Sequence, residues 1–159
     1  MNPSQQRFQK SITTFPSFLW YMVKNLPSVI FWGCRLKKLN MRECQTSVPF
    51  TYRTKNPFRS IYFSALCGTA ELASGILCML HLSGKPSVSM LVTGFEATFI
   101  KKATQTIFMS CVEGEKISAA LQQLSNKGDT ATLQLPISAS NQEGETVATF
   151  IITWSFRKR

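Results

Sequence analysis

At 159 residues with 44% hydrophobic side chains, the chain has the size and apolar content of one domain with a buried core, which excludes disorder for its bulk. Eighteen Lys and Arg against eight Asp and Glu give a formal charge of +10. That excess favours an anionic partner: nucleic acid, an acidic membrane surface or a phosphate-bearing small molecule.

Arg7 and Lys10 precede an apolar run from Phe15 to Val23 that has the outline of a signal peptide. Lys24 and Pro27 interrupt it and no small-residue cleavage site follows. An amphipathic helix packed on the domain, or resting on a membrane surface, fits better. Residues 11–32 read as that helix, with Pro27 as its breaking point. Residues 34–40 and 44–53 read as strands; in the second, Cys44, Thr46, Val48, Phe50 and Tyr52 alternate with Gln45, Ser47, Pro49 and Thr51. Thr54 to Pro57 is turn chemistry, because Asn56 before Pro57 disfavours helix.

From about Ser60 the period changes. Leu66, Ala70, Ala73, Leu77 and Leu80 recur at steps of four and three, one face of a helix that Gly84 and Pro86 terminate. The run over residues 61–82 is long enough to span a bilayer. Glu71 near its middle, its many small and polar residues and the strands that follow argue against a span. Residues 87–101 and 104–112 read as strands. Residues 114–126 read as a short helix carrying Ile117, Leu121 and Leu124, or as a bulged strand. Residues 130–140 and 146–156 close the chain as a hairpin turned at residues 141–145. A helix apolar nearly all round must be enclosed, and a curved antiparallel sheet is the economical wrapper. The expected class is therefore α+β: residues 1–30 as a helical extension, residues 31–159 as one domain.

Several chemistries are excluded. His81, the lone histidine, falls at a helix C-terminus, where a cation is favoured for ordinary reasons and a Ser-His-Asp triad is not indicated. There is neither GxGxxG nor GxxxxGK[ST], and no His/Cys/carboxylate cluster, so no nucleotide cofactor and no metal are expected. The five cysteines are an odd number without a CxxC pair, which points to reduced, mostly buried thiols and a cytoplasmic setting. The cations form no long run and no aromatic-rich basic stripe, so nucleic acid is not an expected partner, and a solvated surface accounts for many of them.

The carboxylates remain. Asp129, Glu43, Glu113, Glu115, Glu143 and Glu145 lie in connections and Glu96 in a strand, whereas Glu71 lies inside the apolar helix. A buried carboxylate is costly unless bonded or functional, and desolvation lifts its pKa toward the range of a general base. The bland alternative is one wet stripe of Cys67, Glu71, Ser74 and Cys78.

The stretch NPFRSIYFSALCGTAE, residues 56–71, resembles the helix-start motif of hot-dog thioesterases of the PaaI-like kind and, more closely, the domain-of-unknown-function family 4442. The likeness extends more weakly from about Pro27 to Trp154, through strand order and the stretch TGFEATFIKKA. It implies a hot-dog fold, a long central helix wrapped by a curved antiparallel sheet, and hydrolysis of an acyl-CoA or acyl-pantetheine thioester. Relatives carry an acid nine residues after a His-Gly-Gly start, and Glu71 stands nine after Tyr62. By that match Glu71 is the catalytic carboxylate, Asn56 stands for their Asn or Gln and would orient the reacting groups, and the Phe63 amide matches the N–H that polarises the thioester carbonyl, as free N–H groups at a helix N-terminus suit an oxyanion. Tyr62, Phe63 and Ser64 replace His-Gly-Gly. Tyr62 and Ser64 would line the substrate, and Lys55, Arg59, Lys101 or Lys102 would meet its phosphates. A homodimer or dimer of dimers is implied as well. The alternative is a hot-dog shell that holds an acyl chain or lipid without cleaving it, favoured by the bulk of Tyr62 and Phe63 and by an apolar N-terminal helix and basic surface suited to membrane contact.

Overall fold

Three prolines divide the N-terminal segment. In the computed structural model, which describes residues 1–85 and 87–159 apart from the side chain of Phe15, Pro3, Pro16 and Pro27 each sit in the first turn of a helix. There the missing N–H costs no intrahelical bond. The helices are α1 (Pro3–Thr13), α2 (Phe15–Asn25) and α3 (Pro27–Trp32). The single helix expected over residues 11–32 is thus three. The first is held by a capping box: the Asn2 side chain accepts from Gln5 N and the Gln5 side chain accepts from Asn2 N, both at 2.8 Å.

Strands β1 (Arg35–Leu39) and β2 (Cys44–Val48) follow. β2 stops five residues short of the expected Arg53, because Pro49 has no N–H for the ladder and the Thr54 hydroxyl, donating to the Pro49 carbonyl at 2.7 Å, starts a turn. Helix α4 (Phe63–Leu82) is followed by β3 (Val88–Phe99), β4 (Ile107–Cys111), α5 (Gly114–Gln122), β5 (Thr130–Ser140) and β6 (Thr146–Lys158). Residues 114–122 are therefore a helix and not a bulged strand. Gly84 takes φ +88° just beyond α4, while Pro86, the other half of the expected stop signal, lies outside the described residues.

The six strands form one antiparallel sheet in the order β1-β2-β4-β5-β6-β3. α4 packs on β2, β4, β5 and β6, the wrapped central helix of the hot-dog layout. Along β6 the alternation holds: Ala148, Phe150, Ile152, Trp154 and Phe156 face the helix and are buried. Among the described residues α4 alone has the length and hydropathy to cross a bilayer, and its apolar surface is accounted for by the sheet around it. The N-terminal helices share the same core through Ile12, Met22 and Val29. They are also tied down by the Gln9 amide donating to the Leu39 carbonyl at 2.7 Å. Of the five cysteine side chains, four are buried and Cys67 is half-buried.

The two sheet edges differ. β1 is short, whereas β3 runs twelve residues with its far side unpaired. In register with the inward residues of β6, Phe95 and Phe99 point to the concave face, within 5.9 and 6.0 Å of the Phe150 ring, yet they remain 40% and 47% exposed.

Candidate functional site

The loop over residues 54–62 sets the first turn of α4. The Asn56 side chain accepts from the backbone N–H groups of Phe58 and Ser60 at 3.0 and 3.1 Å, and donates to Ser60 Oγ and the Ile61 carbonyl at 3.1 and 3.3 Å. Its amide is thus used within its own loop. Inside that loop Arg59 takes φ +60°, a left-handed conformation unfavourable for a residue with a Cβ. Ile61 N–H donates to the Ala103 carbonyl at 2.8 Å and Tyr62 N–H to the Thr54 carbonyl at 2.7 Å. These bonds hold residues 55–61 in a turn, so the helix expected from about Ser60 begins at Phe63.

Tyr62 is the N-cap residue and offers no side-chain cap to the first turn. The first-turn amides of Phe63 and Ser64 have no intrahelical partner by helix geometry. Around them Tyr62 and Phe63 are about half exposed and stack edge to face at 5.1 Å; they stand where a smaller pair would leave the helix start open.

Glu71 sits two turns further on, half-buried, and burial raises its pKa above the usual carboxylate value. Among the described residues no cation pairs with it. Two tryptophans frame its stretch of helix. A Cβ built on Gly75 would lie 3.2 Å from Glu71 Oε1 and 3.5 Å from the Trp154 ring, so the carboxylate, the Gly75 surface and the indole are neighbours. One turn before Glu71, the Trp32 ring of α3 lies directly against Gly68. Trp154 Nε1 donates to Ser74 Oγ at 3.0 Å, and Ser74 Oγ donates to the Glu71 carbonyl at 3.0 Å. The wet stripe is therefore corrected: Ser74 and Cys78 are buried, and solvent reaches only its Cys67–Glu71 half. Local sequence pattern singles out neither tryptophan for the site; the inward phase of Trp154 in β6 is the one signal it carries.

The cations are less uniform than the sequence suggests. The Ile61–Ala103 bond sets the loop bearing Lys55 and Arg59 beside the connection bearing Lys101 and Lys102. Lys55 lies over the Tyr52 ring at 4.6 Å. Lys101 is paired with Glu145 at 3.1 Å, in a hollow that holds Lys102 and Glu143 as well. His81 is buried at the far end of α4, its Nε2 3.0 Å from the Met41 carbonyl, and burial lowers its pKa. Among the described residues no group of three His, Cys, Asp or Glu side chains is placed to hold a metal ion.

A family profile described as "Domain of unknown function (DUF4442)" matches residues 17–156. No curated protein matches the chain. Among solved structures, a Pseudomonas aeruginosa protein of unknown function described as a probable thioesterase superposes with TM-score 0.78 at 20% identity, covering 91% of this chain and 96% of its own. A Chlorobaculum tepidum protein of unknown function gives TM-score 0.79 at 16% identity, covering 98% of this chain and 97% of its own. A Haemophilus influenzae thioesterase gives 0.69 at 13%, covering 91% of each. At these identities the likeness establishes the hot-dog fold.

Proposed function

The chain belongs to the family described as Domain of unknown function (DUF4442), and from that premise we propose that it is a thioester hydrolase acting on acyl-CoA or acyl-pantetheine. The observation that carries the reading is Glu71: a carboxylate on the central helix, half-buried beside Trp154, without a cation, its pKa raised by burial. A carboxylate so placed is a better proton acceptor near neutral pH than a solvated one. In this reading Glu71 activates water or attacks the thioester carbonyl, and the Phe63 amide stabilises the oxyanion. Asn56 is a positioning residue that aims the first turn of α4, with Tyr62 and Ser64 lining the approach. Lys55, Arg59 and Lys102 meet the phosphates of the thiol carrier; Lys101 joins them by leaving Glu145. The cytoplasm, where buried thiols stay reduced, is the matching compartment.

The same geometry supports a homodimer. Phe63 and Glu71 are eight residues apart, about 12 Å along the helix axis, too far for both to act on one carbonyl within one chain. A second copy would bring its own helix start to Glu71. The unpaired β3 edge, with Phe95 and Phe99 uncovered beside it, is the surface to receive it. Light scattering of wild type and Phe95→Lys checks this: the account expects a dimer, or dimer of dimers, that the charge breaks, and a monomeric wild type would oppose it.

Thiol release from short, medium, long and aromatic acyl-CoAs tests the hydrolase itself. Turnover of at least one substrate is expected. A well-folded dimer inert toward all of them would favour a second reading, a hot-dog shell that binds an acyl chain or lipid without cleaving it. The half-exposed Tyr62–Phe63 pair over the helix start favours that reading. So do α2 and α3, where Trp20 and Phe31 are 75% and 57% exposed and Lys24 is exposed as well, a composition suited to a membrane surface.

A further inference from the structure

A cleft of about 710 Å³ lies between the N-terminal helices and the β1–β2 end of the sheet, separate from Glu71. Its polarity is layered. Ile12 and Phe18 in the floor are buried, and Leu19, Ile30 and Leu36 form half-buried walls. Arg35, Lys37 and Arg53 are exposed and stand at the rim. Among the described residues no carboxylate lines the cleft and none pairs with these three cations. A Cβ on Gly33 would meet the Arg53 guanidinium at 3.4 Å, so that exposed side chain passes close to Gly33 at the edge of the cleft.

From this arrangement we infer that the cleft binds a single-chain anionic amphiphile, a long-chain fatty acid, with the chain on the apolar floor and walls and the carboxylate at the Arg35–Lys37–Arg53 rim. The volume falls in the range of small-molecule sites. Guanidinium groups without protein carboxylates are suited to a carboxylate ligand, which they hold through charge-assisted hydrogen bonds. Three cations gathered around an apolar hollow would be a poor place for a neutral chain and a good one for an anionic chain. The inference does not depend on thioester hydrolysis, since it uses no residue of the Glu71 site.

Delipidated protein titrated with cis-parinarate, followed by displacement with palmitate or cetyl alcohol, tests it. Expected is saturable binding, reversed by palmitate and far less by cetyl alcohol. Glu71→Gln should bind as wild type does, which separates this site from catalysis. Arg35→Gln combined with Arg53→Gln should weaken binding about tenfold or more. Lys37→Gln, a single change at an exposed strand position, should weaken it less and guards against misfolding of the double variant. The proposal is overturned by no binding, by equal displacement with the alcohol, by loss of binding in Glu71→Gln, by wild-type affinity in the folded double and Lys37 variants, or by retention of the probe only on anionic vesicles.

Discussion

Gly68→Ala tests the seating of the N-terminal layer on the central helix. A methyl at Gly68 would lie 2.6 Å from Trp32 Cζ3 and 3.1 Å from Cη2, against roughly 3.5–4.0 Å for carbon atoms in contact. The half-buried ring, carried on the last residue of α3, must retreat from α4 by about 1 Å. Overpacking of this kind costs about 1–3 kcal/mol, while Gly to Ala inside a helix returns about 1 kcal/mol. The net expectation is a loss of about 1 kcal/mol. In a Trp32→Leu background the clash is gone and only the helix gain remains, so the same change should stabilise by about 1 kcal/mol. Urea unfolding of the four proteins of this cycle, followed by circular dichroism, reads a coupling of about 2 kcal/mol. If Gly68→Ala stabilises wild type as much as it does the Trp32→Leu protein, Trp32 does not rest on Gly68 and the account of this contact is wrong.

Arg59→Asn should raise stability by up to about 1 kcal/mol, because Asn tolerates the left-handed conformation that Arg59 holds at φ +60°; a loss in urea unfolding would contradict it. Glu71→Gln should raise Tm at neutral pH and leave it unchanged in acid. The folded-state pKa of Glu71 is raised from the ordinary 4.5, so its favourable neutral form is fully present below that value and is lost as pH rises through the folded pKa. Equal Tm differences at every pH would refute it. For His81, with its pKa lowered from 6.5 by burial, the sign reverses. Stability present above 6.5 is lost as pH falls toward the folded pKa, and a His81→Gln protein should lack that part of the acid slope.

The central helix was legible because its apolar residues repeat at helical spacing and nothing else in the chain encloses so long an apolar run. β6 was legible because its period of two survives from Ala148 to Phe156. Where local chemistry competes with periodicity, the reading slipped. β2 alternates as far as Tyr52, but Pro49 cannot join the ladder. The helical phase reaches back to Ser60, but the Asn56 side chain closes the preceding loop first. α1 is polar over most of its length and shows no apolar period, so its start at Pro3 and the capping box of Asn2 and Gln5 are visible only in the structure. Glu71 stood out as the acid inside an apolar helix, yet its setting did not. The Trp154–Ser74 bond joins residues 80 apart in sequence, and a reading of local pattern takes Ser74 for a wet position. Asn56 was singled out by resemblance alone, and its bonds to Phe58, Ser60 and Ile61 depend on a loop conformation that local pattern does not reveal.

The central claim, that Glu71 performs the chemistry, is tested most directly by steady-state thiol release from the best acyl-CoA substrate with wild type and Glu71→Gln side by side. The account predicts turnover by the wild type and a fall of about 10²–10⁴ in kcat/KM in the variant, with folding and oligomeric state unchanged. Equal turnover by the two proteins would contradict it.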